Sequence, residues 1–190
     1  MVQIKYKLDL ENTSTHTVIQ LLKEGKILEI KTDTLPALVC DPYNIKAIKQ
    51  IFSLKKRPTS KQLPLFIPIK WNEKSLIDPW NTLEKKIIKK FWPGPLTIIK
   101  KFSCQAPKRP VLGDPKDTIA LRCPNYGPLL EILNKFGPIA STSSNISGQM
   151  SENETKVRST IIQVLESEET NENIRILRTG KIKKSQFITF

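Results

Sequence analysis

The sequence predicts an α/β fold in which helices cover a β-sheet. Segments rich in β-branched and apolar residues alternate with segments whose apolar residues recur at helical spacing, and the connections are short. No internal repeat, low-complexity linker or change of composition marks a second domain. We therefore expect residues 1–190 to form one domain, which at this length buries a core without disulfide bonds.

Two helices are predicted in the first third of the chain. Residues 14–25 place Val18 and Leu22 on one face, between a hydroxyl cap and a closing glycine. Residues 44–56 start at an asparagine cap and carry four apolar side chains on one face. The strands predicted around these helices cover residues 4–8, 26–30 and 63–69. Because Pro64 and Pro68 cannot donate to a ladder, we expect 63–69 to be an edge strand or to contain a bulge.

Two further helices are predicted in the second half. Residues 82–92 are helical until the WPGP sequence stops them, and residues 127–137 have proline near the start and glycine at the end. Residues 138–142 lead from the last helix into a serine-rich loop. The remaining strand-like segments are 96–102, 118–123, 160–165 and 174–178.

The net charge of +13 favours an anionic partner such as nucleic acid, nucleotides or a membrane surface. Lysine supplies 25 of the 31 basic residues and arginine six, and the lysines are spread along the whole chain. Such a bias also arises from an AT-rich coding sequence. A solvated lysine surface and a true polyanion-binding face both remain open at this point.

The remaining bulk features indicate a soluble cytoplasmic protein. The three cysteines lack CxxC spacing and look like reduced thiols, and no apolar run approaches the roughly 20 residues of a membrane span. The first residues, MVQIKYKLDLENTS, are too charged for a signal peptide. The three N-glycosylation sequons therefore have no secretory route and are set aside.

Four polar clusters lie at the ends of predicted elements, where α/β folds collect ligands. They are KTDT (31–34), LKKRPTSK (54–61), Thr118 with Arg122, and STSSNISG (141–148). Each also has a simpler explanation: a plain turn, a solvated helix end whose cations pack little, or a flexible serine loop. Arg122 is harder to explain in this way, because a charge in an apolar strand needs a partner or a ligand.

The absence of several known motifs limits the reaction classes that the sequence can support. The sequence has neither a GxxxxGK[ST] phosphate loop nor a GxGxxG turn, and its single histidine makes a nucleophilic triad improbable. The clusters instead supply cations and hydroxyls, which suit a highly charged ligand and a reaction driven by positioning and charge stabilisation.

These clusters resemble, in order and spacing, the threonylcarbamoyl-AMP synthase family with its YrdC-type domain. The resemblance is carried by TDT, CDPYNIKAIKQIFSLKKRP, KQLPLFI, WPGPLT, TIALRCP and STSSNISG. It is firm over residues 15–151 and loose over a shortened part, 152–190. It implies a twisted mixed parallel and antiparallel sheet flanked by helices, with a concave basic cleft.

The resemblance also implies a reaction. L-threonine, bicarbonate or CO2, and ATP give threonylcarbamoyl-AMP and pyrophosphate, with Mg²⁺ held mainly by the ATP phosphates. A partner transferase then uses the product to modify the adenosine next to the anticodon of tRNA.

Site residues follow from the resemblance by position. The family's K-x-R and S-x-N signature corresponds to Lys55, Arg57, Ser143 and Asn145, which the resemblance implies as the catalytic residues. The implied ATP contacts are Arg57, Lys61, Thr118, Ser143, Asn145, Ser151 and Arg178. The implied threonine contacts are Thr34, Arg122, Ser141 and Ser159.

The sequence departs from the family pattern in three places. Pro36 and Ala37 replace a tyrosine and a glycine after TDT, and Gln163 replaces an aspartate. The usual helix and glycine-rich segment between the S-x-N loop and the late strand is missing, and we expect SENETKVR (151–158) to be a mobile, exposed loop. These departures keep an alternative open, a weak or inactive relative that binds tRNA or double-stranded RNA.

Overall fold

The computed structural model describes residues 5–71, 76–104, 106, 109–110, 112–145, 157–165 and 174–187. Within these ranges the chain forms nine strands and four α-helices, and the α/β prediction is confirmed. The helices are α1 (Thr15–Lys23), α2 (Ile45–Leu54), α3 (Thr82–Phe91) and α4 (Gly127–Phe136), and a short 3-10 helix covers Lys184–Phe187. The strands are β1 (Lys5–Leu8), β2 (Ile27–Ile30), β3 (Ala37–Cys40), β4 (Leu65–Phe66), β5 (Leu96–Lys101), β6 (Thr118–Arg122), β7 (Ile139–Ser143), β8 (Thr160–Val164) and β9 (Ile174–Arg178).

Helix starts are fixed by side-chain caps that the sequence displays. Ser14 and Asn44 each accept a hydrogen bond from the backbone N–H three residues later. At α3 the cap is reciprocal, because Asn81 accepts from the Glu84 N–H and Glu84 accepts from the Asn81 N–H. None of the helices in the described ranges has both the length and the apolar character needed to cross a bilayer.

The strands form one mixed sheet in the order β1-β2-β3-β7-β4-β6-β5-β8-β9. Parallel pairs join β1 to β2, β4 to β6 and β5 to β8, and the other neighbours are antiparallel. The mixed sheet that the resemblance implied is therefore confirmed.

Helices cover the two faces of the sheet unequally. On one face, α1 and α4 bury Leu28, Val39 and Ile139 of the β1-to-β4 half in a single cluster. On the other face, α2 packs over the centre and α3 over β5 and β8. Among the described residues, the half made of β6, β5, β8 and β9 is thus covered by helices on the α3 side alone.

The uncovered half-sheet carries the side chains that share a face with Arg122. Strand register puts Thr118, Ala120, Ile99 and Gln163 on this face, and all four are partly exposed. An open, partly polar surface therefore continues from the place where α4 ends its cover of the sheet.

Two expectations for the strands are wrong. β3 was not anticipated, although its four residues are buried and join β2 to β7. The segment 63–69 was expected at an edge, but β4 lies between β7 and β6 in the interior. This position tolerates Pro64 and Pro68 because the paired strand is only the two residues Leu65–Phe66, between the prolines.

Candidate functional site

The turn after α2 separates the two cations of the K-x-R pair. Lys56 adopts a left-handed conformation with φ of 47°, its N–H donates to the Ser53 carbonyl, and the Arg57 N–H donates to the Phe52 carbonyl. This pair of bonds is a Schellman motif, formed here without the usual glycine. The reversal sends the Lys55 and Arg57 side chains to different partners.

Lys55 is buried and ties α2 to the end of β7. Only 2% of its surface is exposed, and its Nζ donates to the backbone carbonyl oxygens of Ser143 and Asn145. Burial, and then the charges of Arg57 and Arg158, lower the pKa of Lys55 to about 8. The expectation that this lysine packs little is wrong, because the S-x-N loop closes over it.

Arg57 is partly buried and organises the following loop. Its Nε donates to the Lys61 carbonyl at 2.6 Å and its NH2 to the Gln62 carbonyl at 2.9 Å. Burial, followed by the charge of Arg158, lowers the pKa of Arg57. The guanidinium is therefore fixed by backbone acceptors and keeps further N–H groups for a ligand.

Arg122 ends β6 and is held on three sides. Its NH2 pairs with Asp33 Oδ1 at 2.5 Å, its NH1 donates to Thr34 Oγ1 at 2.8 Å, and its Nε donates to the Gly94 carbonyl at 3.1 Å. These bonds use three of the five N–H groups of an arginine. Burial lowers the pKa of Arg122 and Asp33 opposes that effect. Asp33 Oδ2 is buried and has no hydrogen-bond partner among the described residues.

The KTDT segment is a turn and also part of this site. The buried Thr32 hydroxyl donates to the Leu35 carbonyl at 2.7 Å and accepts from the Thr34 N–H at 3.0 Å. This local bonding fixes the backbone that presents Asp33 and Thr34 to Arg122. The turn explanation and the binding explanation therefore describe the same geometry.

Ser159 and Arg178 meet on the far side of the same region. Arg178 donates from Nε and NH2 to the Ser159 carbonyl, and from NH2 to Ser159 Oγ at 2.9 Å. Ser159 Oγ also lies 2.9 Å from Thr97 Oγ1 on β5. Burial, and then the charges of Arg158, Arg122 and Arg57, lower the pKa of Arg178 to about 10.

These groups enclose one cavity of about 110 Å³. Four of the six arginines of the chain line it, whereas no lysine does within the described ranges. The cationic groups lie close enough to lower one another's pKa, which marks the cavity as a site of strong positive potential. Its walls are Thr34, Leu35, Ala37, Arg57, Pro64, Phe66, Thr97, Arg122, Ser141, Thr142, Ser143, Arg158, Ser159, Ile161 and Arg178.

The structure brings most of the predicted site residues to this cavity. Those that line it are Thr34, Arg57, Arg122, Ser141, Ser143, Ser159 and Arg178. Lys55 lies behind the wall, where it binds the backbone of Ser143 and Asn145.

Besides Lys55, three predicted residues in the described part of the chain do not line the cavity, namely Asn145, Lys61 and Thr118. Lys61 is exposed and contributes its carbonyl to Arg57. Thr118 lies at the other end of β6, about 13 Å from Arg122 on the same face of the sheet. Ser151 lies outside the described residues, as does most of the loop expected at 151–158.

Arg158 was not predicted as a site residue. Its burial also contradicts, at this position, the expectation that 151–158 is an exposed loop. It closes the SENETKVR segment, which is polar enough to suggest an exposed loop, but it is half-buried in the cavity wall. The only signal in the sequence was its position two residues before the start of β8. Burial lowers the pKa of Arg158.

The described residues offer no protein-held metal site. No group of three or more histidine, cysteine or acidic side chains lies together among them. The carboxylate nearest the cavity, Asp33, is paired with Arg122. This donor set fits a magnesium ion that is bound as the complex with a triphosphate and is held by phosphate and water oxygens.

Comparison with known sequences assigns the family. The sequence profile of the Sua5, YciO and YrdC family, described as "Telomere recombination", matches residues 20–157. The chain belongs to this family. A protein of Aliivibrio fischeri named threonylcarbamoyl-AMP synthase is 31% identical over 175 residues, 86% of this chain and 94% of the relative. A protein of Methanocaldococcus jannaschii, provisionally named as the same synthase, is 37% identical over 149 residues, 75% of this chain and 68% of the relative.

Solved structures share the fold. Sua5 from P. abyssi in complex with L-threonine has a TM-score of 0.71 and 25% identity, covering 92% of this chain. This chain spans 56% of that Sua5 chain. YciO from E. coli has a TM-score of 0.72 and 21% identity, covers 98% of this chain and is itself covered completely.

Proposed function

We propose that this chain is an L-threonylcarbamoyladenylate synthase, a nucleotidyltransferase that joins L-threonine, bicarbonate or CO2, and ATP. The observation that carries the proposal is the cavity in which four arginines converge on the hydroxyls of Thr34, Ser141 and Ser159. Arginines and hydroxyls suit a ligand with a carboxylate, a carbamate and phosphates. The synthase names of the relatives and the threonine complex of Sua5 support the same assignment.

Threonine would be bound beside Arg122. The guanidinium is held rigidly by Asp33, Thr34 and Gly94 and retains two N–H groups for a carboxylate. A rigid pocket of this kind lowers the entropic cost of orienting the amino acid.

The reaction would proceed by charge stabilisation. The threonine amine adds to CO2 and loses a proton, which gives a carbamate. A carbamate oxygen attacks the α-phosphate of ATP, the bond to the bridging oxygen breaks, and pyrophosphate leaves with the bonding electrons. Arg57, Arg158 and Arg178 line the same cavity and would neutralise the charge that develops on the phosphates.

The nucleotide would extend along the open half-sheet. Thr118 shares the face of Arg122, about 13 Å away, so one extended ligand could contact both. Lys55 would act as a positioning residue, because it holds the Ser143 and Asn145 backbone at the mouth of the cavity. Mg²⁺ would neutralise part of the triphosphate charge. The product would pass to a partner transferase that modifies tRNA.

The test is pyrophosphate release measured with each substrate left out in turn. The proposal predicts release that requires threonine, bicarbonate and ATP together, in the absence of RNA. Release that ignores threonine would indicate another ATP-cleaving activity. No release at any substrate concentration would favour an inactive RNA-binding relative.

A comparison of amino acid substrates extends the same test. If the pocket beside Arg122 and Thr34 receives threonine, serine should be poorer by about 10- to 200-fold in kcat/KM, because it lacks one methyl group. A preference for a large or acidic amino acid would show that this pocket has another substrate.

A further inference from the structure

A second concave surface lies on the opposite face of the sheet from the arginine cavity. It has a volume of about 240 Å³ and runs between the segment after β4 and the helix α3. All three tryptophans of the chain line it, together with Ile67, Pro68, Ile69, Lys85, Ile88 and Lys89. We call this surface the tryptophan groove.

The tryptophan rings of the groove are held in place and remain partly exposed. Trp80 and Trp92 meet edge to face, with ring centroids 5.8 Å apart and planes at 88°. Trp92 Nε1 donates to the Leu96 carbonyl at 2.7 Å, and Lys100 Nζ lies 5.5 Å from the centre of the Trp80 ring. Ile69 at the rim is 58% exposed, more than any other large apolar side chain among the described residues. All three tryptophans pack against the buried core while part of each remains exposed, and aromatic rings held in this way beside water can serve as stacking platforms.

Lysines give one wall of the groove a positive charge. Lys85 and Lys89 are exposed and lie one helical turn apart on α3, which brings them to the same side. The acidic residue between these lysines and the helix start, Glu84, is buried and paired with Lys100 at 2.7 Å, so it does not neutralise them. None of the described residues that line the groove is acidic. The charge therefore suits a polyanion.

We propose that the tryptophan groove binds single-stranded RNA, with bases stacked on the indole rings and phosphates paired with Lys85 and Lys89. The combination of aromatic faces and a lysine row is what sequence-tolerant binding of single strands requires. An acidic peptide would use the lysines but would gain little from rings that lie edge to face. The point charges of lysine suit mobile phosphates, whereas the arginine cavity has fixed, hydrogen-bonded guanidinium groups.

The groove and the arginine cavity are independent sites. The cavity is built on the face that carries Phe66 and Arg122, and the groove on the face that carries Ile67. RNA in the groove would therefore leave ATP and threonine free to bind. This inference goes beyond the proposed synthase activity and does not depend on it.

The groove offers its own spectroscopic probe, because it contains every tryptophan of the chain. We would titrate the whole protein with a 12-nucleotide oligouridine at about 50 mM and about 200 mM salt, following tryptophan emission. The proposal predicts saturable quenching that weakens at the higher salt. An excess of ATP and threonine should leave the titration unchanged.

The helix also supplies a matched control. Lys85→Glu with Lys89→Glu reverses two charges that line the groove, whereas Lys86→Glu with Lys90→Glu reverses two exposed charges of the same helix, at the same spacing, that do not line it. We expect the first pair to weaken oligouridine binding at least about 10-fold and to lower the salt slope by about 1.4 for two lost phosphate contacts. The second pair should weaken binding by less than about 3-fold, as a long-range effect of charge.

Four results would overturn the proposal. Equal losses in both double variants would mean diffuse attraction to the basic chain. Binding without a change of emission, or binding that ATP displaces, would place the RNA elsewhere. Tighter binding of a poly-glutamate peptide than of oligouridine at equal salt would indicate an acidic protein partner. Threonine-dependent pyrophosphate release by the Lys85 and Lys89 variant, measured without RNA, keeps a failure of this proposal distinct from a failure of the synthase assignment.

Discussion

The two faces of the half-sheet formed by β6, β5, β8 and β9 carry basic residues of different kinds. On one face, Arg57, Arg122, Arg158 and Arg178 line the cavity, partly or fully buried, and at least three of them donate to backbone or side-chain oxygens. On the other, exposed lysines of α3 border three tryptophans. The net charge of +13 therefore combines two kinds of basic residue with different environments. Buried arginines have a fixed geometry that suits a small ligand. Exposed lysines create a positive surface potential that suits a polyanion.

The largest effect should come from a buried charge that serves neither surface directly. Lys100 and Glu84 are 8% and 3% exposed and pair at 2.7 Å, beneath α3. Glu84→Ala would leave the lysine buried without its carboxylate partner and remove one of the two hydrogen bonds of the α3 cap, so we expect a loss of about 3 to 5 kcal/mol in the free energy of unfolding. Urea denaturation measures it, and the KM for ATP of the folded fraction should not change.

An exposed pair provides the comparison for this variant. Glu131 and Lys135 also lie 2.8 Å apart, but both are more than half exposed. Glu131→Ala should leave the free energy of unfolding almost unchanged, because exposed ion pairs contribute little. Similar losses in the two variants would mean that the Lys100 pair is open to water.

The next largest effect is expected on kcat/KM when Arg122, the rigidly held arginine of the cavity, is replaced. Arg122→Lys keeps a charge but loses the planar fork that meets Asp33 and Thr34. We expect kcat/KM for threonine to fall on the order of 10²-fold, the scale at which one preorganised electrostatic group acts. Arg109→Lys, at an exposed arginine outside the cavity, should leave kcat/KM unchanged. An active Arg122 variant would separate the cavity from threonine binding.

Arg158 should have a smaller effect because it is partly exposed at the cavity wall. Arg158→Ala removes one cation from the place assigned to phosphate, and we expect KM for ATP to rise about 10-fold, as for loss of one hydrogen bond to a charged group. Arg175→Ala, at an exposed arginine of β9 that does not line the cavity, is the matched control. Equal changes in both would indicate a general effect of net charge.

A separate effect is the pH dependence of stability at Lys55. Burial lowers the pKa of Lys55 from 10.5 to about 8, so between these values the unfolded chain binds more protons than the folded chain. Stability from this group must therefore rise with pH from about 8 to about 10.5. Thermal unfolding of the wild-type protein and of Lys55→Met across this pH range isolates the contribution of Lys55 ionisation to stability. As the pH rises, the stability of the wild-type protein should increase relative to that of the variant. A relative decrease would mean that the two carbonyls raise the pKa of Lys55 instead.

The sequence was most informative where local chemistry decides the structure. Helices α1 and α2 begin at the polar caps that predicted them, because cap bonds span only three residues. Arg122 could be predicted as a site residue because a charge in an apolar strand needs a partner. β3 was missed because its four buried residues show no alternation, and Pro36 stands directly before them.

Contacts between distant segments could not be read from the sequence. Lys55 meets Ser143 and Asn145 across 88 and 90 residues, and no local pattern shows that its ammonium binds carbonyls rather than a ligand. Arg158 lies in a polar run that resembles a loop, and the pairing of β8 with β5 brings it to the cavity. The tryptophan groove likewise combines the segment after β4 with a helix that begins at residue 82.

The most direct test of the synthase assignment follows carbon from bicarbonate into an adenylate. Purified protein would be incubated with ¹⁴C-bicarbonate, ATP, Mg²⁺ and L-threonine, and the products separated without acid treatment. The account predicts a labelled compound that also contains the AMP of ATP, formed only with threonine and lost in Arg122→Lys. Pyrophosphate release without labelled adenylate, or equal labelling without threonine, would contradict it.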